Sequence, residues 1–179
     1  MLKVGTIPVI KRIVISFQQA GIFPIVVITG VDEDEVNYRL RNYGVIFISI
    51  EQPEQPQLLD SVKIGLRYLS GKYDRIAFAP VNVPMITPDT LIRLKNTARE
   101  IVTPSYRRCG GTPSCCPTAS SPKLTCGGED GLRGALRTLD ARRVWPPVED
   151  ERGPACTIAS SCRPAWRSAT TRFCTPSSA

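Results

Sequence analysis

Short runs of apolar, largely β-branched residues recur through the first 104 residues, and they restrict the chain to few folds. Residues 24–29 and 45–50 carry no charged side chain, as in strands that are buried on both faces of a sheet. Residues 75–79 and 101–104 are shorter runs of the same kind. We therefore predict four strands at these positions.

Amphipathic segments lie between these runs. Apolar residues recur at helical spacing over 7–17, 32–40 and 58–69, which predicts three helices. Gly21 is a suitable stop for the first, since glycine readily adopts the left-handed conformation at the end of a helix.

Two helix starts carry capping signals. Asp32 with Glu35 three residues later is a capping-box pattern. Thr87 followed by Pro88 predicts a fourth helix, with Thr87 as its cap and Pro88 at its first position.

Strands that alternate with helices in this way favour one architecture. We predict an α/β fold of three layers, Rossmann-like, with a mostly parallel sheet and helices on both faces. In such sheets ligands bind beyond the carboxyl ends of the strands. This places the candidate site at Thr29 and Gly30, at 51–57 and at 80–85.

The composition changes near position 108. Residues 1–108 contain 41 Ile, Leu, Val, Phe or Met, whereas residues 109–179 contain 8. A segment so poor in apolar side chains cannot offset the entropy of ordering. We predict a core domain over 1–108, a degenerate continuation over 109–153 and a disordered tail over 154–179. Residues 109–127 are expected to be irregular and exposed, and 128–139 to keep one helix.

All seven cysteines follow the break, and the chain has no histidine. The absence of histidine excludes a Ser–His–Asp triad and any His-ligated metal site. The cysteines are odd in number and include no Cys-x-x-Cys pair, and Cys115 and Cys116 are adjacent, which suits neither ligand spacing nor a disulfide framework. We expect reduced thiols.

Charge and hydropathy limit the partners and the location. The net charge of +7 is scattered, with no basic run and no aromatic–basic strand pattern, so nucleic-acid binding is not expected. No apolar stretch is long enough to span a membrane, and the first residues are unlike a secretory signal. We expect a cytoplasmic protein.

Several segments, in order, resemble the MobA-like nucleotidyltransferases, and within them the molybdenum cofactor cytidylyltransferase type. The matching segments are Pro8–Arg12, Ile25–Gly30, Ser61–Leu66, Pro80–Pro88, Ile101–Pro104 and, more weakly, Gly128–Leu136.

The resemblance implies a reaction. Such enzymes transfer a nucleotidyl group (CMP or GMP) from CTP or GTP to a phosphorylated acceptor, such as a molybdopterin-type cofactor, and release pyrophosphate. The family uses a glycine-rich loop after its first strand for the triphosphate, an Asp in a Gly-Asp-x-Pro context for Mg²⁺, and a second acidic site near the C-terminus.

The resemblance also implies site residues. Thr29 and Gly30, with Ser61 and Lys63, match nucleotide-binding positions, and Lys63 replaces an Arg of the family. Asn82 stands where the family has its metal-binding Asp, so Mg²⁺ binding should weaken, because an amide oxygen brings no charge. Asn82 can equally be a loop residue that satisfies nearby backbone, and Ser61 and Lys63 can be a helix cap and a solvated side chain. The family's first strand and its glycine-rich loop have no counterpart in the printed sequence.

Two explanations of residues 109–127 and 154–179 remain open. In a reading frame shifted by two bases, one possible coding string for 111–117 gives His-Pro-Val-Leu-Leu-Pro, which the family often carries there. The rival explanation is a divergent tail rich in Ser, Pro and Arg.

Two functions remain as well. The first is a nucleotidyltransferase domain that is impaired in this chain. The alternative is a non-catalytic binding or regulatory module that keeps the fold. Pyrophosphate release in the presence of Mg²⁺ separates them.

Overall fold

The computed structural model describes residues 3–30, 32–50, 58–97, 101–106, 109–110, 114–117 and 143–144. The helices within this part are α1 (Val9–Gln19), α2 (Glu33–Leu40), α3 (Leu58–Leu69) and α4 (Pro88–Asn96). The strands are β1 (Lys3–Val4), β2 (Ile7–Pro8), β3 (Val26–Thr29), β4 (Ile46–Ser49), β5 (Arg75–Phe78), β6 (Ile101–Val102), β7 (Ser105–Tyr106), β8 (Cys109–Gly110), β9 (Ser114–Pro117) and β10 (Arg143–Val144). None of the described helices combines the length and hydropathy that a membrane crossing needs.

The helices follow the sequence pattern closely. α3 has the predicted bounds, and α1 ends at Gln19, two residues before the predicted stop Gly21, which has a φ of 65°. The start of α1 differs, because Ile7 and Pro8 form β2 and pair antiparallel with β1. Helical periodicity therefore placed the start of the first helix two residues too early.

The two capping predictions have different outcomes. Thr87 caps α4 as predicted, since its Oγ1 accepts a hydrogen bond from the Thr90 amide at 3.3 Å. Asp32 occupies the cap position of α2, but its side chain makes no capping bond. Asp32 has φ −97° and ψ 28°, which is not the extended backbone that a capping side chain needs. The Glu33 amide donates to the Gly30 carbonyl at 3.1 Å.

The four predicted strands form, and the architecture is an α/β fold with parallel strands and helices, as predicted, although antiparallel pairs are also present. β3 and β4 pair in parallel, as do β6 and β10. The four-stranded sheet has the order β10-β6-β9-β5, and β9 runs antiparallel to both of its neighbours. One reversed strand thus joins β5 to β6.

The prediction that 109–127 is irregular and exposed is wrong at β8, which pairs with β7, and at β9, which is also buried. Ser114 and Cys116 are fully buried and Cys115 is 4% exposed. Leu, Ile and Val are absent from this strand, but a free cysteine packs as a small hydrophobe and is among the most buried residue types. The two thiols point to opposite sheet faces, where Cys116 packs with Leu59 and Cys115 with Leu94.

The clusters of buried side chains define three layers. On one face α3 packs on Ile76 of β5 through Leu59, Val62 and Leu66. The opposite face is covered by α1, α2 and α4. There α1 and α4 pack around Ala77, while α1 and α2 pack on Val27 of β3. The alternation of Ile76 and Ala77 to opposite faces is the period-two geometry of a strand.

Several predictions lie outside the described residues. These are the loop at 51–57, the helix at 128–139 and the tail at 154–179.

Two basic side chains bind the helix ends at the edge opposite the candidate site. Nζ of Lys95 lies 3.0 Å from the Gly21 carbonyl and 3.5 Å from that of Ala20, at the end of α1. Nη1 of Arg75 donates to the carbonyls of Lys95 and Thr97, at 2.9 and 2.6 Å, at the end of α4. Cations stabilise the negative end of a helix dipole, so these contacts tie α1, α4 and β5 together.

Replacing Lys95 tests this tie. We expect Lys95→Met to lower the free energy of unfolding by about 1 kcal/mol, because the last carbonyls of α1 lose a charged donor. Urea denaturation measures the change. Lys3→Met removes an exposed lysine and serves as the control. Equal stability of the two variants would contradict the capping role of Lys95.

The buried thiols predict a pH dependence. Burial raises the pKa of Cys116 from its ordinary value of 9.0 to about 12, and burial also raises the pKa of Cys115, against the opposing charge of Arg75. The unfolded chain therefore releases these protons first. Their stabilising contribution is complete below about pH 9 and is lost as the pH rises towards 12.

Comparing the unmodified chain with Cys116→Ala isolates the contribution of this thiol. We expect the free energy of unfolding of the unmodified chain to fall more steeply between pH 9 and 11 than that of Cys116→Ala. Parallel curves would show that Cys116 is not buried as a neutral thiol.

Candidate functional site

β5 and β6 end at one edge of the four-stranded sheet, and β9 begins there because it runs the other way. β3 and β4 pair in a two-stranded sheet of their own. β4, α3 and β5 make a strand–helix–strand unit, and α3 packs on both β3 and β5. The Phe78–Ser114 pair closes the β5–β9 ladder at this edge. Ligands bind at this edge in sheets of this type.

Thr29 and Gly30 end β3, and they differ in what they can do. Thr29 is 4% exposed, and its Oγ1 lies 3.4 Å from the Ile48 carbonyl oxygen. Its own carbonyl accepts from the Ile50 amide at 2.9 Å. Gly30 is exposed, and a Cβ built there meets no atom within 4 Å. Thr29 therefore serves the sheet, whereas the backbone at Gly30 is open to a ligand.

Asn82 lies in a turn after β5. The Val83 amide donates to the Pro80 carbonyl at 3.3 Å, which makes Asn82 the third residue of the turn. Val83 and Ile86 anchor it in the core beside α1, and Pro84 is fully buried. The turn holds Asn82 in a fixed position.

The amide oxygen of Asn82 is buried and has no hydrogen-bond partner among the described residues. A buried acceptor without a donor costs about 1–3 kcal/mol. The sequence also allowed Asn82 to be a loop residue whose side chain hydrogen-bonds to nearby backbone. The amide oxygen makes no such bond within the described residues. A functional role is one explanation for such an atom, but Asn37 Oδ1 and two nitrogens of Arg75 are unpaired as well.

The described residues do not by themselves provide a metal centre. They contain no group of three His, Cys, Asp or Glu side chains that could hold an ion. Asn82 would supply one neutral oxygen, and that oxygen is turned away from solvent. Mg²⁺ prefers carboxylates and phosphate oxygens in an octahedral arrangement, which this donor set does not supply.

Ser61 and Lys63 lie in the first half of α3, both partly buried. Lys63 Nζ is 3.9 Å from Asp60 Oδ1, a loose contact within one helix. α3 packs on the sheet through other residues, Leu59, Val62 and Leu66. No hydrogen bond or ion pair joins the described side chains of Thr29, Ser61, Lys63 and Asn82 to one another. The site is an edge on which these groups are distributed.

A polar pair at the same edge was missed by the sequence analysis. Thr103 and Ser114 are both buried, and their hydroxyl oxygens lie 3.4 Å apart. The pair joins the end of β6 to the start of β9. The sequence clue to this pair is that Ser114 precedes two cysteines, which can form a buried strand. The sequence analysis searched for strands through Leu, Ile and Val and therefore missed it.

Comparison with known proteins relates this chain to one family. The sequence profile of the family described as the MobA-like NTP transferase domain matches residues 1–144. No curated protein sequence matches the chain.

Three solved structures are similar in fold. A nucleotidyl transferase from Methanothermobacter thermautotroptrophicus has a TM-score of 0.71 at 21% identity, over 83% of this chain and 73% of that one. A Mycobacterium tuberculosis protein in complex with manganese has 0.69 at 17%, over 83% and 81%. A 4-diphosphocytidyl-2C-methyl-D-erythritol synthase from Anaerococcus prevotii has 0.70 at 13%, over 88% and 87%.

The unpaired oxygen of Asn82 predicts an unusual mutant. We expect Asn82→Ala to raise the free energy of unfolding by about 1 kcal/mol, because it removes an acceptor that has no donor. A structural asparagine with satisfied bonds would lose stability instead. Urea denaturation distinguishes the two, and a loss of more than about 1 kcal/mol would show that the oxygen is paired in solution.

Proposed function

Because the chain belongs to the MobA-like NTP transferase domain family, we propose that it binds a nucleoside triphosphate, CTP or GTP, at the carboxyl edge of its sheet. The acceptor in this proposal is a phosphorylated small molecule, such as a molybdopterin-type cofactor. The observation that supports it most is the family match over residues 1–144, on a sheet whose carboxyl edge is open at Gly30. We place this activity in the cytoplasm.

The proposed chemistry is nucleotidyl transfer. An oxygen of the acceptor phosphate attacks the α-phosphorus, a new P–O bond forms, and the bond to the β-phosphate oxygen breaks to release pyrophosphate. The protein's task is to position two anions and spread their charge. A divalent cation such as Mg²⁺, when bound, supplies charge neutralisation, and the manganese complex of one structural relative supports this part of the proposal.

The residues of this chain have distinct roles in that scheme. The backbone at Gly30 lets the nucleotide approach the sheet closely. Lys63 exchanges its 3.9 Å contact with Asp60 for a phosphate oxygen, and Ser61 donates from the same helix. Thr29 positions the end of β3 through its contact with Ile48.

Asn82 is the reason that we expect nucleotidyl transfer by this chain to be impaired. It stands at the position that carries the family's metal-binding Asp, it brings no charge, and its oxygen is buried. Losing one preorganised electrostatic group typically costs about 100- to 1,000-fold in rate. The same observation favours the second candidate, a binding or regulatory module that retains the nucleotide and does not turn it over.

Calorimetric titration with CTP and GTP in Mg²⁺ tests binding. We expect one nucleotide to bind the unmodified chain and Lys63→Met to weaken its binding, because a phosphate loses its cationic partner. Lys72→Met is the matched control, since Lys72 follows the far end of α3. Absence of binding by either nucleotide would overturn both candidate functions.

Pyrophosphate release then separates the two candidates. We expect no measurable release from the unmodified chain, and tighter Mg²⁺-dependent nucleotide binding by Asn82→Asp, because a carboxylate restores the missing charge. Release by Asn82→Asp with an acceptor present would support the impaired enzyme. Release by the unmodified chain would contradict the role given to Asn82.

A further inference from the structure

The outer edge of β4 has no partner within the described ranges. β4 pairs with β3 in parallel over four residues, from Val26–Ile46 to Thr29–Ser49. No other described strand pairs with β4. A strand edge of this kind offers a row of backbone donors and acceptors to another chain.

The ladder with β3 fixes which backbone groups point outwards. The Ile46 amide donates to Ile25 and the Ile50 amide to Thr29, both at 2.9 Å. Even-numbered residues of this segment therefore face β3. In a strand the N–H and C=O groups of successive residues alternate in direction. Val45, Phe47 and Ser49 consequently present their N–H and C=O groups to the open edge.

This edge lacks the features that keep natural edges apart. Residues 45–50 contain no charge and no proline, and five of the six are Val, Ile or Phe. The side chains of Ile46, Phe47 and Ile48 are only partly buried within one copy. Protected edges carry lysine, proline or a bulge, whereas uncharged β-branched segments favour pairing.

We propose that β4 is a self-association edge, where a second copy of this chain pairs antiparallel about a two-fold axis at Phe47. Val45 then lies opposite Ser49 of the second copy, Phe47 opposite Phe47, and Ser49 opposite Val45. All three are positions with outward N–H and C=O groups, so each pair exchanges two hydrogen bonds, about six in all. The register is the same read from either copy, as a closed two-fold interface requires.

A second copy satisfies the requirements of this edge. The outward groups recur at every second residue, so those of Val45, Phe47 and Ser49 find partners in both copies at once. The absence of charge over 45–50 lets two identical edges meet without like charges facing each other. A parallel pairing would leave one edge open in each added copy and would not close.

The arrangement leaves the nucleotide site free. Antiparallel pairing of two identical sheets places their carboxyl edges at opposite ends of the joined sheet. Gly30 of each copy remains exposed, so the inference does not depend on the proposed function.

The charge of the chain sets how association should respond to salt. Each copy carries a net charge of +7, so two copies repel at long range. The contacts at the edge are uncharged and are not weakened by salt. Association should therefore strengthen with ionic strength, as screening shortens the repulsion.

Ser49 is the residue that tests the register. It is exposed, its N–H points outwards, and the bonds to β3 come from its even-numbered neighbours. Ser49→Pro removes that donor in both copies, and Ser49→Ala is the matched control that keeps it. In sedimentation equilibrium we expect dimers of the unmodified chain and of Ser49→Ala. For Ser49→Pro we expect a dissociation constant at least about tenfold larger, since two hydrogen bonds are lost.

Hydrogen exchange on the unmodified chain tests the proposal even if Ser49→Pro fails to fold. Raising the protein concentration should slow exchange of the Phe47 and Ser49 amides and leave that of Ile48 unchanged, because Ile48 already faces β3. A monomer at every concentration, equal dimers of all three chains, or open-ended growth beyond the dimer would each overturn the proposal.

Discussion

The pairing of β9 between β5 and β6 holds the described sheet together. β5 and β6 do not pair with each other; each pairs with β9. The two cysteines of β9 fill both faces, so the packing of α3 and the packing of α4 both depend on this strand. A segment with few large apolar residues thus occupies a central position, because a thiol is small enough to fit between helices and the sheet.

The candidate site illustrates a difference between fold and chemistry. Structural relatives with 13–21% identity keep a TM-score near 0.7, since a parallel sheet needs only apolar strands and covering helices. The chemistry depends on single groups at one edge. Asn82 keeps the turn and its apolar anchors. Under the function that we propose, it brings a neutral oxygen to the position of a charged residue, a change that would alter the chemistry and leave the fold intact.

The two ends of the sheet are stabilised in different ways. At the amino edge, Lys95 and Arg75 bind the carbonyls that end α1 and α4, so the helix ends are satisfied by long cationic side chains. At the carboxyl edge, Gly30 is open and Asn82 carries an unpaired acceptor. Unpaired buried atoms occur at both ends among the described residues, since Nε and Nη2 of Arg75 also have no hydrogen-bond partner. The two ends therefore differ in how the helix ends are bound.

Local features of the sequence determined the helices and most strands. The bounds of α3, the Thr87 cap and the stop at Gly21 follow from periodicity and backbone preference, which depend on a few adjacent residues. Asp32 failed as a cap because its backbone is not in the extended conformation that a capping side chain needs. The sequence also placed Thr29, Gly30 and Asn82 at strand ends. Tertiary structure alone decided that β9 enters the sheet, that the Asn82 oxygen is buried and that the Thr29 hydroxyl serves β4, because each depends on groups distant in sequence.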